Sequence, residues 1–209
     1  DKMVLKIIKD PATRTIGLEN GEIDFYAFEN VATNIVRLKK NSNLNVTPKG
    51  YAAIGPIDWL AFNTKDGKTA DVKVRQAIAY AIDRNFILKA IMLGVADEAR
   101  TGIHPGSPYY EPNVETYDLN IKKANKILED AGYKKGSDGM RFGLTVDYGW
   151  PGLKPNAEYT KAALKKIGID VTVRPSADFP TWAKTVSNHD FDLTWDTVFN
   201  WGDPVIGVH

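Results

Sequence analysis

The chain has no cysteine among its 209 residues. Disulfides and thiolate metal sites are therefore excluded, and the redox state of its compartment is left open. It has no excess of either charge: 27 basic residues stand against 26 acidic ones, for a formal net charge of +1. Without a basic stripe there is no electrostatic footprint for nucleic acid. No run of roughly 18 apolar residues occurs, so no membrane-spanning helix is legible. Histidine is scarce. His104, His189 and His209 lie far apart, and no His-x-x-x-His or Gly-x-Ser-x-Gly frame occurs. A metal site or a catalytic base built on them is not expected, and His189 beside Asp190 reads as turn chemistry. No cofactor is expected.

What is present is an alternation of strand and helix signals. The best-defined helix covers residues 71–82. Val74, Ile78 and Ile82 recur every four residues, and Ala77 and Ala81 fill the gap beside them, which is one apolar stripe of helical period. Asp71 stands where an N-cap belongs, and Asp71 to Arg75 is an acid-first i,i+4 pair. The alanines allow close approach, so the helix is expected at the centre of the core.

Other helices are expected from Asp10-Pro11 to Asn20-Gly21, over residues 30–40, and over residues 85–93 with Gly94 as the stop. Asp118 is expected to cap a helix running to Gly132. Asn156 is expected to cap another that turns Tyr159, Ala163 and Ile167 inward and stops at Gly168. A short helix covers residues 180–186. Strands are expected at residues 4–8, 23–28, 44–47 and 54–63. Alternation marks three more, on Phe142, Leu144 and Val146, on Ile169, Val171 and Val173, and on Phe191, Leu193 and Trp195. Gly102, Pro105, Gly106, Pro108 and Pro112 keep residues 101–113 a loop. The pattern predicts an α/β unit with a mixed sheet covered on both faces.

Two stretches stand out as candidate binding chemistry. In Trp195-Asp196-Thr197-Val198-Phe199-Asn200-Trp201-Gly202-Asp203-Pro204, an alternating strand runs into a Gly-Asp-Pro stop among large aromatics. Trp195 reads as core. Phe199, Asn200 and Trp201 lie past the core alternation, at a strand's carboxyl end, where open α/β sheets hold ligands. Aromatics there supply rigid apolar contact and an amide fixes orientation. The second stretch is the Gly/Pro loop of residues 148–155, in which Tyr148 and Trp150 either wall a site or pack on the neighbouring helix. Asp58 reads as an outward-facing position on its strand, with a buried ligand group as the alternative.

Four segments in order carry a family resemblance. They are Leu18-Glu19-Asn20-Gly21-Glu22-Ile23-Asp24-Phe25; the helix reading Val-Arg-Gln-Ala-Ile-x-x-Ala-Ile-Asp-Arg over residues 74–84 after Leu60-Ala61-Phe62-Asn63; Tyr117-Asp118 with Ala124, Leu128 and Ala131-Gly132-Tyr133; and Gly202-Asp203-Pro204. Together they resemble the family 5 extracellular solute-binding proteins, the peptide, nickel and related binding proteins of ABC importers. The resemblance implies a periplasmic binding protein-like lobe (class II, cluster C) with a mixed sheet flanked by helices. It implies that residues 1–209 are a single lobe, the second ligand-binding lobe of a longer two-lobed protein. Because the chain opens on Asp1 and stops at His209, five residues after a turn, both ends are read as cuts.

The function implied is the substrate-binding component of an ABC importer. It would be monomeric, and either periplasmic or lipid-anchored on the outer face of the cell membrane. Its partners would be the permease membrane subunits and a small solute of the oligopeptide, opine or oligosaccharide class. Ligand contacts are expected from Thr197, Phe199, Asn200, Trp201, Tyr148 and Trp150. Aligned back from Gly202-Asp203-Pro204, peptide-binding members carry an aspartate for the ligand's α-amino group where this chain has Asn200. A neutral amide accepts a hydrogen bond from ammonium but cannot neutralise it. Dipeptide binders also carry an arginine for the ligand carboxylate in the loop of residues 148–155, where Lys154 is the only cation. These departures leave neutral solutes, blocked or unusual peptides and opine-like compounds open. The alternatives are a sensor or interaction domain on the same scaffold, or an α/β enzyme, for which no nucleophile–base pair is visible.

Overall fold

The computed structural model describes residues 2–50 and 56–199. Four strands form one mixed sheet: β1 (Pro56–Phe62), β2 (Phe142–Tyr148), β3 (Ile169–Pro175) and β4 (Leu193–Phe199), in the spatial order β1-β4-β2-β3. β1 pairs antiparallel with β4, whereas β4, β2 and β3 run parallel. The helices are α1 (Pro11–Glu19), α2 (Ala32–Leu38), α3 (Val72–Ala81), α4 (Arg84–Phe86), α5 (Ile121–Asp130), α6 (Lys154–Lys165) and α7 (Phe179–Ser187). Beyond α4 the chain continues as a π turn over Ile87–Ile91.

α3 is the expected central helix. Val74, Ala77, Ile78 and Ala81 are fully buried, and they share one core with Leu128 of α5, Leu164 of α6, and Leu144, Val146 and Leu193 of the sheet. Burying one such aliphatic side chain contributes roughly 1.5–3 kcal/mol. Asp71 caps α3 by accepting from the Lys73 N–H at 2.8 Å. Its other carboxylate oxygen accepts from the Tyr133 hydroxyl at 3.0 Å, so the Ala-Gly-Tyr segment after α5 anchors the start of α3. On the opposite face of the sheet, Trp182 of α7 donates its indole N–H to Thr194 at 2.8 Å. At the amino end of β2, the buried Arg141 side chain donates to the Ile167 carbonyl and pairs with Glu129 at 2.8 Å, closing that end of the molecule. Gly168 takes φ 77° there, and a Cβ on it would stand 2.9 Å from the Gly139 carbonyl, so only glycine fits.

Several expectations are corrected. Residues 4–8, 23–28 and 44–47 form no strand. A strand is stable only when its backbone groups are paired, and among the described residues none pairs with them. Leu5 and Ile7 are 85% and 93% exposed. Asn120, not Asp118, caps α5, accepting from the Lys123 N–H. Asn156 is not a cap: α6 begins earlier, at Lys154, because Pro155 needs no N–H partner in a first turn, and Asn156 is 2% exposed inside it. The helix expected over residues 85–93 keeps only three α-helical residues before the π turn. Residues 54 and 55 of the expected β1 lie outside the described residues.

Candidate functional site

The carboxyl ends of β2, β3 and β4 and the amino end of β1 meet along one rim of the sheet. Pro56 lies opposite Phe199, and Asp58 opposite Thr197. Partners directly opposite on antiparallel strands share a face. Thr197 therefore donates its hydroxyl to Asp58 Oδ1 at 2.6 Å, and itself accepts from the Trp150 indole N–H at 3.4 Å. This chain of bonds joins the loop after β2 to β4 and then to β1.

Beside it lies an aromatic shelf. Trp150 stacks on Phe179, the first residue of α7, with ring centroids 5.2 Å apart and planes at 16°. Trp182, one turn further along α7, tilts against both rings. The sequence places Gly149 here for space: a Cβ on it would meet the Trp182 indole at 3.3 Å. Phe179 is 49% exposed, so the shelf is open on one side.

The rim is acidic. Asp58 is open to solvent on one side, yet the protein crowding the rest of its carboxyl raises its pKa above the usual range, with the Thr197 hydrogen bond opposing. Burial likewise raises Asp196, and the negative charge of Asp58 raises it further, while the Thr197 N–H acts against both. Below the rim, Asp147 is buried and its carboxyl is raised by burial, even though Arg174 pairs with it at 2.9 Å.

The structure thus brings Trp150 and Thr197 together, with Phe199 half-buried at the end of β4. Tyr148 is 8% exposed and belongs to the core, so its ring backs the loop instead of lining open space. Trp195 is core as expected, donating to Thr160 of α6 at 2.9 Å. Asn200 and Trp201 lie outside the described residues. Asp58, Phe179 and Trp182 join the site without having been singled out for it. Phe179 and Trp182 share a helix face at i,i+3, which the sequence does display; Asp58 needed the β1–β4 register. His104 accepts from the Gly106 N–H and His189 takes φ 58°, both turn roles. Among the described residues no three His, Asp or Glu side chains converge as metal ligands.

A mixed sheet flanked by helices, whose parallel strands end in a rim of aromatics, hydroxyl and carboxylate, defines a class: an α/β lobe of the periplasmic binding-protein type. Solved structures agree. The ABC transporter-associated periplasmic binding protein DppA of Helicobacter pylori, in complex with the peptide STSA, superposes with a TM-score of 0.79 at 27% identity, over 91% of this chain and 35% of that one. The oligopeptide-binding protein AppA of Bacillus subtilis, in complex with a nonapeptide, gives 0.78 at 25% identity, over 91% and 39%. Residues 1–207 match the bacterial extracellular solute-binding proteins, family 5 middle, and the chain belongs to that family. Heme-binding protein A of Haemophilus influenzae is 30% identical over 172 residues, covering 81% of this chain and 30% of that protein. The dipeptide-binding protein of Escherichia coli is 28% identical over 174 residues, covering 83% and 32%. The chain spans about a third of the length of these curated relatives.

Proposed function

We propose that this chain is the second ligand-binding lobe of a two-lobed solute-binding protein that delivers a small, peptide-like solute to an ABC permease. The observation that carries the reading is the rim, where Trp150, Thr197 and Asp58 are linked at the carboxyl ends of parallel strands in a member of this family. In this reading the rim is one wall of a cleft, Phe199, Asn200 and Trp201 continue it, and a second lobe closes over it by a hinge. Capture requires burial and orientation of the solute, not bond chemistry, so no enzyme activity and no resident cofactor are invoked. The protein works as a monomer in the periplasm, or tethered by a lipid outside the cell membrane.

The test is a thermal-shift screen of the full-length protein against short peptides, opines, oligosaccharides and metal chelates. A solute that raises the melting temperature is then titrated calorimetrically against the parent and Trp150→Ala. The expected loss is roughly 1–3 kcal/mol, the usual effect of truncating a central aromatic anchor. A solute that binds both forms equally would remove the rim from the cleft.

A further inference from the structure

Asp58 is a carboxylate that its own chain does not neutralise. It accepts one hydrogen bond, from the Thr197 hydroxyl, and among the described residues it enters no ion pair. The Thr197 hydroxyl proton is committed to Asp58 Oδ1, because that same hydroxyl oxygen receives the Trp150 indole N–H. The carboxylate is therefore held in one orientation. Its second oxygen has no partner among the described residues.

The contrast with Asp147 is instructive. Asp147 is more buried, but Arg174 grips both its oxygens, at 3.2 and 2.9 Å. Asp192 has no cation either, yet it accepts from both the backbone N–H and the hydroxyl of Thr145, at 2.7 and 2.9 Å. Asp58 has neither a cation nor a second donor, and Asp196 nearby adds charge of the same sign. A crowded carboxylate without a countercharge is unfavourable unless a partner arrives from outside. An alkylammonium would bring three donors and the missing charge, and the adjoining Trp150 and Phe179 rings offer apolar cover for the carbon attached to it.

Resting on the transport reading given above, we propose that Asp58 takes a positively charged nitrogen of the solute, with the Thr197 hydroxyl fixing the carboxylate and Trp150 and Phe179 covering one side. This site lies on β1, not on the segment leading to Gly202-Asp203-Pro204. It gives a chain with Asn200 a different way to neutralise an ammonium. A peptide's amino terminus and a lysine side chain present the same chemistry.

The experiment uses the full-length protein, unfolded and refolded to strip carried solute, and native mass spectrometry. Three pools of random tri- to pentapeptides are offered at equal concentration. The first has free amino termini and no lysine or arginine, the second is the same pool N-acetylated, and the third is N-acetylated with one lysine. The first or the third pool should be retained at least about tenfold over the second, as for loss of a desolvated charge pair. Which of the two is retained assigns the ammonium to the terminus or to the side chain. Asp58→Asn should abolish that preference while melting no lower than the parent. Equal retention of the second pool, a preference that survives in Asp58→Asn, or retention of no pool at all would each overturn the proposal. A protein that holds the blocked pool, or is stabilised only by some other solute, keeps the transport reading and loses this one; a protein stabilised by no solute loses the transport reading as well.

Discussion

Asp58, Asp147 and Asp196 all have carboxyls raised above the ordinary range by burial. The sign of their contribution follows. Between the unfolded carboxylate value of about 3.9 and the raised folded values, the fold holds protons that the unfolded chain has released. Stability therefore falls as pH rises through that window and levels off above it. Asp58→Asn removes one such group. It is expected to melt at or above the parent at pH 7 and to show a shallower decline from pH 4 upward, checked by thermal unfolding across pH. Arg174→Met acts the other way. It leaves the Asp147 carboxylate, whose side chain is 4% exposed, without its cation. The Arg174 side chain is itself 36% exposed, so the cost is discounted from that of a wholly buried pair to about 2 kcal/mol at neutral pH. That loss shrinks in acid, where Asp147 is protonated, and urea titrations at pH 7 and pH 4 would show whether it does.

At the scale of the element, α3 decides whether there is a core at all. Ile78 is wholly buried among apolar neighbours from α5, α6 and the sheet. Ile78→Asp would place a charge there without a partner and is expected to cost several kcal/mol, comparable with the whole stability of a domain. Loss of cooperative melting in circular dichroism would confirm it; a parent-like transition would refute it. The local chemistry of α3 was legible because it is local: Asp71 accepts from a residue two positions away, and the stripe repeats every turn. The same holds for α1, whose Asp10 cap accepts from the Thr13 N–H. Residues 4–8 have an equally good strand composition, but a strand needs a neighbour, and composition does not say whether one is in reach. Asn120 displaced Asp118 as a cap because both residue types cap well and stand two positions apart. The site divides along the same line. Trp150 and Thr197 could be suspected from aromatics beside Gly and Pro at a strand end. Asp58 could not be placed there, because its tie to Thr197 spans 139 positions and depends on the β1–β4 register.

For the whole molecule, the proposed two-walled cleft has a quantitative consequence. A solute held at micromolar affinity has about −8 kcal/mol, and one wall supplying half of the contacts leaves about −4, near millimolar. The entropic cost of holding the solute does not halve, so the 209-residue chain alone is expected to bind more weakly still. Calorimetry on this chain beside the full-length protein tests that, and equal affinities would place the site wholly within this lobe. The strand order β1-β4-β2-β3 has a consequence of another kind, for biosynthesis. β4 is the last of the four strands to leave the ribosome, yet it occupies an inner position. Until it arrives, β1 has no neighbour among the described strands, and the β2–β3 pair has one open side. Such long-range closure folds slowly, since the loop entropy is lost before the contacts that compensate it form. Nascent chains arrested before residue 193 are expected to be digested by a dilute protease, and chains arrested with residue 199 well clear of the exit tunnel to resist it. Protection that appeared earlier would mean that β2, β3 and the helices hold together without the strand between β1 and β2. On the order of synthesis that the topology dictates, the tie between Asp58 and Thr197 is among the last contacts made, and the lobe becomes able to recognise a solute only as it finishes folding.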